Sequence, residues 1–336
     1  MAFNRENFVI YDEEWHTGAT EVIQQAAIEL NQAAGGSMAM TTQRMRGEFL
    51  KESFFKEIQG LVRDRDPNDL TDSTADDLEM GEEVAAKIHK SIHVEKALNA
   101  FNALGDDARE FSFIVGTQQG QVMVVDYLNT ALASVVAAIR SEEKVVYDAT
   151  ETDKPQPSPA NLNRIKKRMG DQSQRIVAWA MDATMLHDLV EENIESKITN
   201  VADVNIWNAG NPGLVGLPAI VTDSPFLMEE GELDAPDKHF IVGLTERAVE
   251  AIEAEERNVL AETVGGKKNL LGRIQSEFAV INKVKGCAYT GGEHPTTADL
   301  ADPQNWEFVV TSHKSGPGAI GVFYAIDETP EEEGTE

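Results

Sequence analysis

The chain has 336 residues and a single cysteine, Cys287. That excludes an intramolecular disulfide and any metal centre built from several cysteines. Basic residues are scarce as well: 29 Lys+Arg stand against 58 Asp+Glu, a formal net charge of −29. A surface that coats nucleic-acid phosphates needs concentrated Lys and Arg. An anionic membrane surface makes the same demand, so neither partner is expected. No run of about 18 consecutive apolar residues occurs, and no membrane-spanning segment is expected. The opening stretch MAFNRENFVIYDEEW carries acids where a secretory signal would be apolar. The expectation is a soluble chain, intracellular during synthesis.

Active-site patterns are missing too. No GxGxxG opens a helix after a strand, no GxxxxGK[ST] occurs, and no GxSxG nucleophile elbow is present. Gly265-Gly266-Lys267-Lys268 lacks phosphate-loop spacing and reads as a turn with exposed lysines. Cys287 follows Gly286 in a strand-like stretch and reads as a small core residue. His187 and Asp188 are adjacent on a helix, so they point about 100° apart and form no dyad by themselves. Asp223 beside Ser224-Pro225 reads as a turn former. His89 and His93 would suit a metal on a helix. On a strand they stand about 13 Å apart and cannot share one. No catalytic, cofactor-binding or metal-ligating residue is assigned.

What is present is a core of ordinary size. The apolar fraction is 41%, which argues against global disorder. The length suggests about two domain-sized units. Residues 19–34 place Val22, Ile23, Ala26, Ala27 and Leu30 on one stripe, and Gly35-Gly36 ends that helix. It reads either as a helix packed on the core or as an N-terminal arm laid on a neighbouring subunit. Residues 37–70 form a basic island in an acidic protein, with Arg44, Arg46, Lys51, Lys56, Arg63 and Arg65 interleaved with Phe49, Phe54 and Phe55. This is either a solvated charged segment or a projecting loop that pairs with an acidic neighbour. In residues 84–94, Val84, Ala86, Ile88, Ile92 and Val94 share one face of a predicted strand.

Residues 107–140 contain no proline and repeat apolar residues at helical spacing. At 1.5 Å per residue they make a helix about 50 Å long, which suits a flat or elongated body. Gly116 and Gly120 allow a close crossing or a bend there. Residues 149–160, with Pro155, Pro157 and Pro159, read as a linker. Strands are expected at 175–181, 218–222, 239–244, 274–289, 306–311 and 319–326. Asp182 should cap a helix running to about Lys197, with Met185, Leu186, Leu189, Val190 and Ile194 inward. The tail DETPEEEGTE reads as acidic and disordered. The mixture is α+β without a regular βαβ repeat.

Several stretches, in order, resemble the major capsid proteins of tailed bacteriophages. VMVVDYLNTALASVVAAI (122–139) is similar to the spine helix of one branch of that family. GDQSQRIVAWAMDATMLHDLVEENI (170–194) resembles its "VMHS…dL" segment, and GLPAIVTDSP (216–225) resembles the strand that follows. FIVGLTERAVEA (240–251) resembles the next strand and turn. KGCAYTGGEHPTTADLADPQNWEFVVTSHKSGPGAIGV (285–322) resembles the closing region. Two departures stand out: Met181-Asp182-Ala183 replaces the usual Met-His-Ser, and His294 precedes Pro295 where asparagine is frequent. Both read as tolerated surface or turn changes.

The resemblance implies the tailed-phage capsid fold. Residues 1–36 would be the N-terminal arm and 37–95 the extended loop. Residues 96–171 would be a peripheral domain with its spine helix at 107–140. Residues 172–250 would be mostly the axial domain, 251–326 a return to the peripheral domain, and 327–336 the tail. It also implies self-assembly into pentamers and hexamers of an icosahedral shell around double-stranded DNA, without catalysis or cofactors. The virion would be its destination and the host cytoplasm its place of assembly. A separate scaffolding protein is expected, since no scaffolding segment precedes the arm; a portal and a decoration protein are further partners. The candidates for inter-subunit contact are Arg44, Arg46, Lys51, Phe54, Phe55 and Arg63. Two other readings stay open: an encapsulin-like non-viral shell and an acidic soluble enzyme.

Overall fold

The computed structural model describes residues 8–56, 78–101, 107–198, 217–231, 236–265 and 268–326. Helix α1 (Asp12–Ala33) starts well before Ala19, where the apolar stripe begins. Asp12, Glu13 and Glu14 fill its first turn, where the positive end of the helix dipole favours acids. It ends at Gly35 and Gly36, whose φ angles of 59° and 77° only glycine adopts freely.

Three strands and a short helix follow: β1 (Met38–Thr42), β2 (Phe49–Phe55), β3 (Met80–Ala97) and α2 (Leu98–Phe101). The helix expected at 107–140 is α3 (Ala108–Arg140). Asp107 caps it, its carboxylate accepting from the backbone N–H groups of Arg109 and Glu110 at 2.8 Å each. Every residue from Thr130 to Ile139 is buried. That explains an 18-residue window of α3 apolar enough to cross a bilayer: here it is a core helix packed against strands.

Then come β4 (Val146–Asp148), α4 (Pro159–Arg168), β5 (Ile176–Met181), α5 (Ala183–Ile198), β6 (Ala219–Val221) and β7 (Met228–Glu229). The expected linker thus ends in a helix. Ser158 caps α4 through the Asn161 N–H, and Pro159 takes the first helical position, where its missing N–H does no harm. The chain closes with β8 (Lys238–Thr245), β9 (Val249–Glu253), β10 (Asn258–Val264), β11 (Leu271–Val284), β12 (Cys287–Tyr289), α6 (Thr297–Ala301), β13 (Trp306–Phe308) and β14 (Gly318–Tyr324). The single strand expected at 274–289 is two strands, broken by the turn at Lys285-Gly286, where Gly286 has φ 69°. The strand expected at 306–311 stops at Phe308. Strand β10 was not anticipated. Residues 207–216 and the acidic tail lie outside the described residues.

Two sheets organise the described residues. In the first, the order β1-β9-β11-β3-β12-β13 is extended by β10 on β11 and β2 on β3. In the second, the order is β4-β14-β8-β5-β6, with β7 beside β8. Parallel and antiparallel pairs mix in both, as in β1 with β9 and β3 with β11. The pairings cut across the ranges expected from the sequence. β4 and β14, from ranges assigned to the peripheral domain, join β5 and β8 in the second sheet, while β1 and β9 lie in the first.

Helix α1 crosses α3 at close range. Trp15, fully buried, donates its indole N–H to Gln119 Oε1 at 3.0 Å. A Cβ on Gly116 would stand 2.2 Å from the Trp15 carbonyl oxygen. Of the two possibilities for this glycine pair, a close crossing is the one realised. At least this part of α1 is fastened to the core of its own chain.

Candidate functional site

Strand β3 changes partner midway. Residues 80–86 pair antiparallel with β2, from Met80↔Phe55 to Ala86↔Phe49. Residues 87–97 pair antiparallel with β11, from Lys87↔Ile281 to Ala97↔Leu271. One strand of about 60 Å therefore joins two parts of the first sheet: β11 flanks one half, and β2 and, at Val84, β12 flank the other. His89 and His93 are both exposed on it, as the alternation predicted. Val94, expected inward, is exposed.

The far end of the hairpin is apolar. Phe55, Met80 and Leu78 are 67%, 62% and 53% exposed. Phe54 turns the other way and is half-buried over Gly81, where a Cβ would meet its ring at 2.6 Å. The charged residues of the hairpin region find acids of their own chain. Arg44 pairs with Glu256, Lys51 with Glu82 at 3.7 Å, and Lys56 with Glu79 at 3.3 Å. Lys283 reaches across from β11 to Glu52 and Glu83. Burial alone would lower its pKa, but those two carboxylates outweigh it and raise it. Arg46 is exposed. Arg63 and Arg65 lie outside the described residues. The structure thus gathers Arg44, Lys51, Phe54 and Phe55 along one hairpin and its approach.

Two polar clusters escaped the sequence reading. At the start of β2, Glu48 is hydrogen-bonded to His89 at 3.0 Å, and His294 Nδ1 lies 3.3 Å from the same carboxylate oxygen. His294 holds a left-handed backbone with φ 55°, uncommon outside glycine. In the second sheet, Asp182 and His239 are both buried and hydrogen-bonded to each other. The Asp182 bond raises the His239 pKa against the opposing effect of burial. Asp182 also caps α5, accepting from the Met185 N–H at 2.7 Å. The departure at Asp182 is therefore a core substitution and no surface change. No local pattern could have found either cluster, because the partners come from distant parts of the chain. Cys287 is buried, and burial pushes its thiol pKa well up, so it is poorly suited to be a nucleophile.

Two sheets pack with the long helix α3, and β2 and β3 pair within the first of them. The chain is similar in structure to the cyanophage Pam1 capsid subunit, with a TM-score of 0.51 and 13% identity, covering 86% of this chain and 88% of that one. It is similar to the capsid of Ralstonia phage GP4, with a TM-score of 0.53 and 10% identity, covering 89% and 90%. It is similar also to the capsid of cyanophage P-SCSP1u, with a TM-score of 0.50 and 11% identity, covering 87% and 88%. No curated protein sequence matches the chain significantly. Residues 7–320 match the Gp13-like family, described as major capsid protein 13-like, and the chain belongs to that family. It is a major capsid protein, a subunit of a bacteriophage shell.

Proposed function

We propose that this subunit assembles into pentamers and hexamers that tile an icosahedral head around the double-stranded DNA of a tailed phage. It acts by association, with no catalytic turnover. The observation that carries the reading is the end of the β2–β3 pair, where Phe55, Met80 and Leu78 are exposed. Contiguous apolar surface of this kind is ordinarily covered by a partner. Head-to-tail contacts between unlike surfaces close into rings when the rotation permits, and rings can tile a shell.

In this reading the range 37–95 is the extended loop and α1 belongs to the N-terminal arm. The first sheet belongs to the peripheral body and the second to the axial body. Arg44, Arg46, Lys51, Phe54, Phe55 and Arg63 are the inter-subunit contacts. A net charge of −29 suits a wall that encloses DNA without gripping it. A scaffolding protein, a portal and a decoration protein complete the assembly, which takes place in the host cytoplasm. Negative-stain microscopy of the purified chain tests the core of this reading. Rings or megadalton particles are expected, with lower yield when Arg44, Arg46 and Arg63 are all changed to Glu. A homogeneous monomer with measurable turnover would overturn it.

A further inference from the structure

We propose that Glu48, His89 and His294 form a binding site for a divalent transition-metal ion of the zinc class. The three residues come from separate stretches: Glu48 just before β2, His89 within β3, and His294 in the turn between β12 and α6. Yet one ligand atom from each lies within 4.8 Å of the other two. His89 Nε2 is 3.0 Å from Glu48 Oε2, and His294 Nδ1 is 3.3 Å from the same oxygen. A tetrahedral zinc with bonds of about 2.0–2.1 Å sets its ligands about 3.3–3.4 Å apart. Two edges of the site already have nearly that length. The third, between the two imidazoles, can close by a small rotation of the His294 ring, whose side chain is 64% exposed.

The chemistry of the donors agrees. Two imidazoles and a carboxylate form a recurring zinc ligand set, and imidazole selects zinc, nickel and copper over the hard alkaline-earth ions. Three protein ligands leave a fourth position open, and the site faces solvent on the histidine side, where water can fill it. The nearby Lys87 is buried and turned away, its ammonium bound to Glu255 at 2.9 Å.

The backbone points the same way. The Glu48 carbonyl accepts from the Lys87 N–H at 2.8 Å, which fixes Glu48 beside β3. His294 keeps φ at 55° although Pro295 follows, and a residue before proline is driven toward the extended region. That unfavourable backbone aims the ring at Glu48. A bound ion would cross-link the start of β2, the middle of β3 and the turn before α6, pinning the root of the hairpin to the body.

The test uses the purified full chain stripped with EDTA and titrated with Co2+, then with Zn2+ in competition. Wild type is expected to develop the intense visible bands of a four-coordinate Co2+ site, which Zn2+ abolishes. Zn2+ should also raise its melting temperature relative to EDTA. His294→Asn, which suits the left-handed backbone, and Glu48→Gln should each weaken binding by more than the roughly 10–100-fold that loss of an outer-shell partner brings. His93→Gln, on the same strand outside the cluster, should leave binding unchanged. Absence of the Co2+ bands in wild type overturns the proposal. So does equal metal binding by wild type and either ligand variant, which would mark adventitious surface histidines. None of these readouts depends on whether the chain forms shells.

Discussion

The crossing of α1 and α3 makes a prediction with an internal control. Gly116 and Gly120 lie one turn apart on α3 and both face α1, but at different distances. A Cβ on Gly116 would stand 2.2 Å from the Trp15 carbonyl oxygen, and one on Gly120 would stand 3.0 Å from both the Cα and the carbonyl oxygen of Ala19. Carbon–oxygen contacts settle at about 3.3–3.6 Å. Gly116→Ala therefore requires the helices to part by about 1 Å, whereas Gly120→Ala requires a few tenths. Alanine improves helix propensity by about 1 kcal/mol at either site. Overpacking of the larger kind costs about 1–3 kcal/mol, sometimes more. Parting the helices also strains the buried Trp15–Gln119 hydrogen bond, worth about 0.5–1.5 kcal/mol. The balance is a loss of about 1–3 kcal/mol for Gly116→Ala and a change within about 1 kcal/mol of either sign for Gly120→Ala. Urea unfolding of unassembled subunits, followed by tryptophan fluorescence, measures both. The reasoning fails if Gly116→Ala is as stable as wild type, or if Gly120→Ala is the more damaging change.

Two further outcomes follow from buried charge. The Asp182 hydrogen bond raises the His239 pKa above 6.5, so the folded state holds that proton more tightly than the unfolded state. This contribution is complete below about pH 6.5 and is lost as pH rises through the folded value. Urea midpoints measured between about pH 6 and 9 should fall more steeply for wild type than for His239→Gln; parallel profiles would refute it. Arg257 pairs with Glu253 at 2.7 Å, their side chains only 10% and 7% exposed, and also donates to Thr20 on α1. Arg257→Met strands a buried carboxylate and should cost about 3–5 kcal/mol, while adding Glu253→Leu should recover most of it. A double variant as unstable as the single one would contradict that account.

The elements with a long, clean period were legible in the sequence. Helix α3 and strands β3, β5 and β8 have apolar spacing that survives without reference to distant residues. What was missed depended on tertiary context or on short local rules. The first turns of α1 carry acids and a tryptophan with no apolar stripe, and only the crossing with α3 explains Trp15. The prolines before α4 resembled a linker because the helix start hides in Ser158-Pro159. The break at Gly286 separates β11 from β12 in a stretch whose alternation continues across it. Neither polar cluster was legible. Alternation alone puts His89 on the outer face of a strand, but Glu48 and His294 reach it only through the fold. The capping role of Asp182 was legible, but its departure from the family pattern read as a surface or turn change, because His239 is set against it only by the pairing of β5 with β8.

The hairpin also changes which residues should matter for association. The basic island suggested cations held in reserve for a neighbour. Arg44, Lys51 and Lys56 instead face Glu256, Glu82 and Glu79 of their own chain. Such exposed pairs are each worth only about 0–1 kcal/mol. Exchanging one for a similar pair with a neighbour therefore changes little in energy, although it sets register and salt sensitivity. The apolar end is different, because Phe55 and Met80 are mostly exposed to water. Covering a side chain such as Phe55 or Met80 fully gains about 1.5–3 kcal/mol each, and the gain recurs at every copy of the contact. In the proposed shell the charges along the hairpin thus choose where it lies, and Phe55, Met80 and Leu78 hold it there.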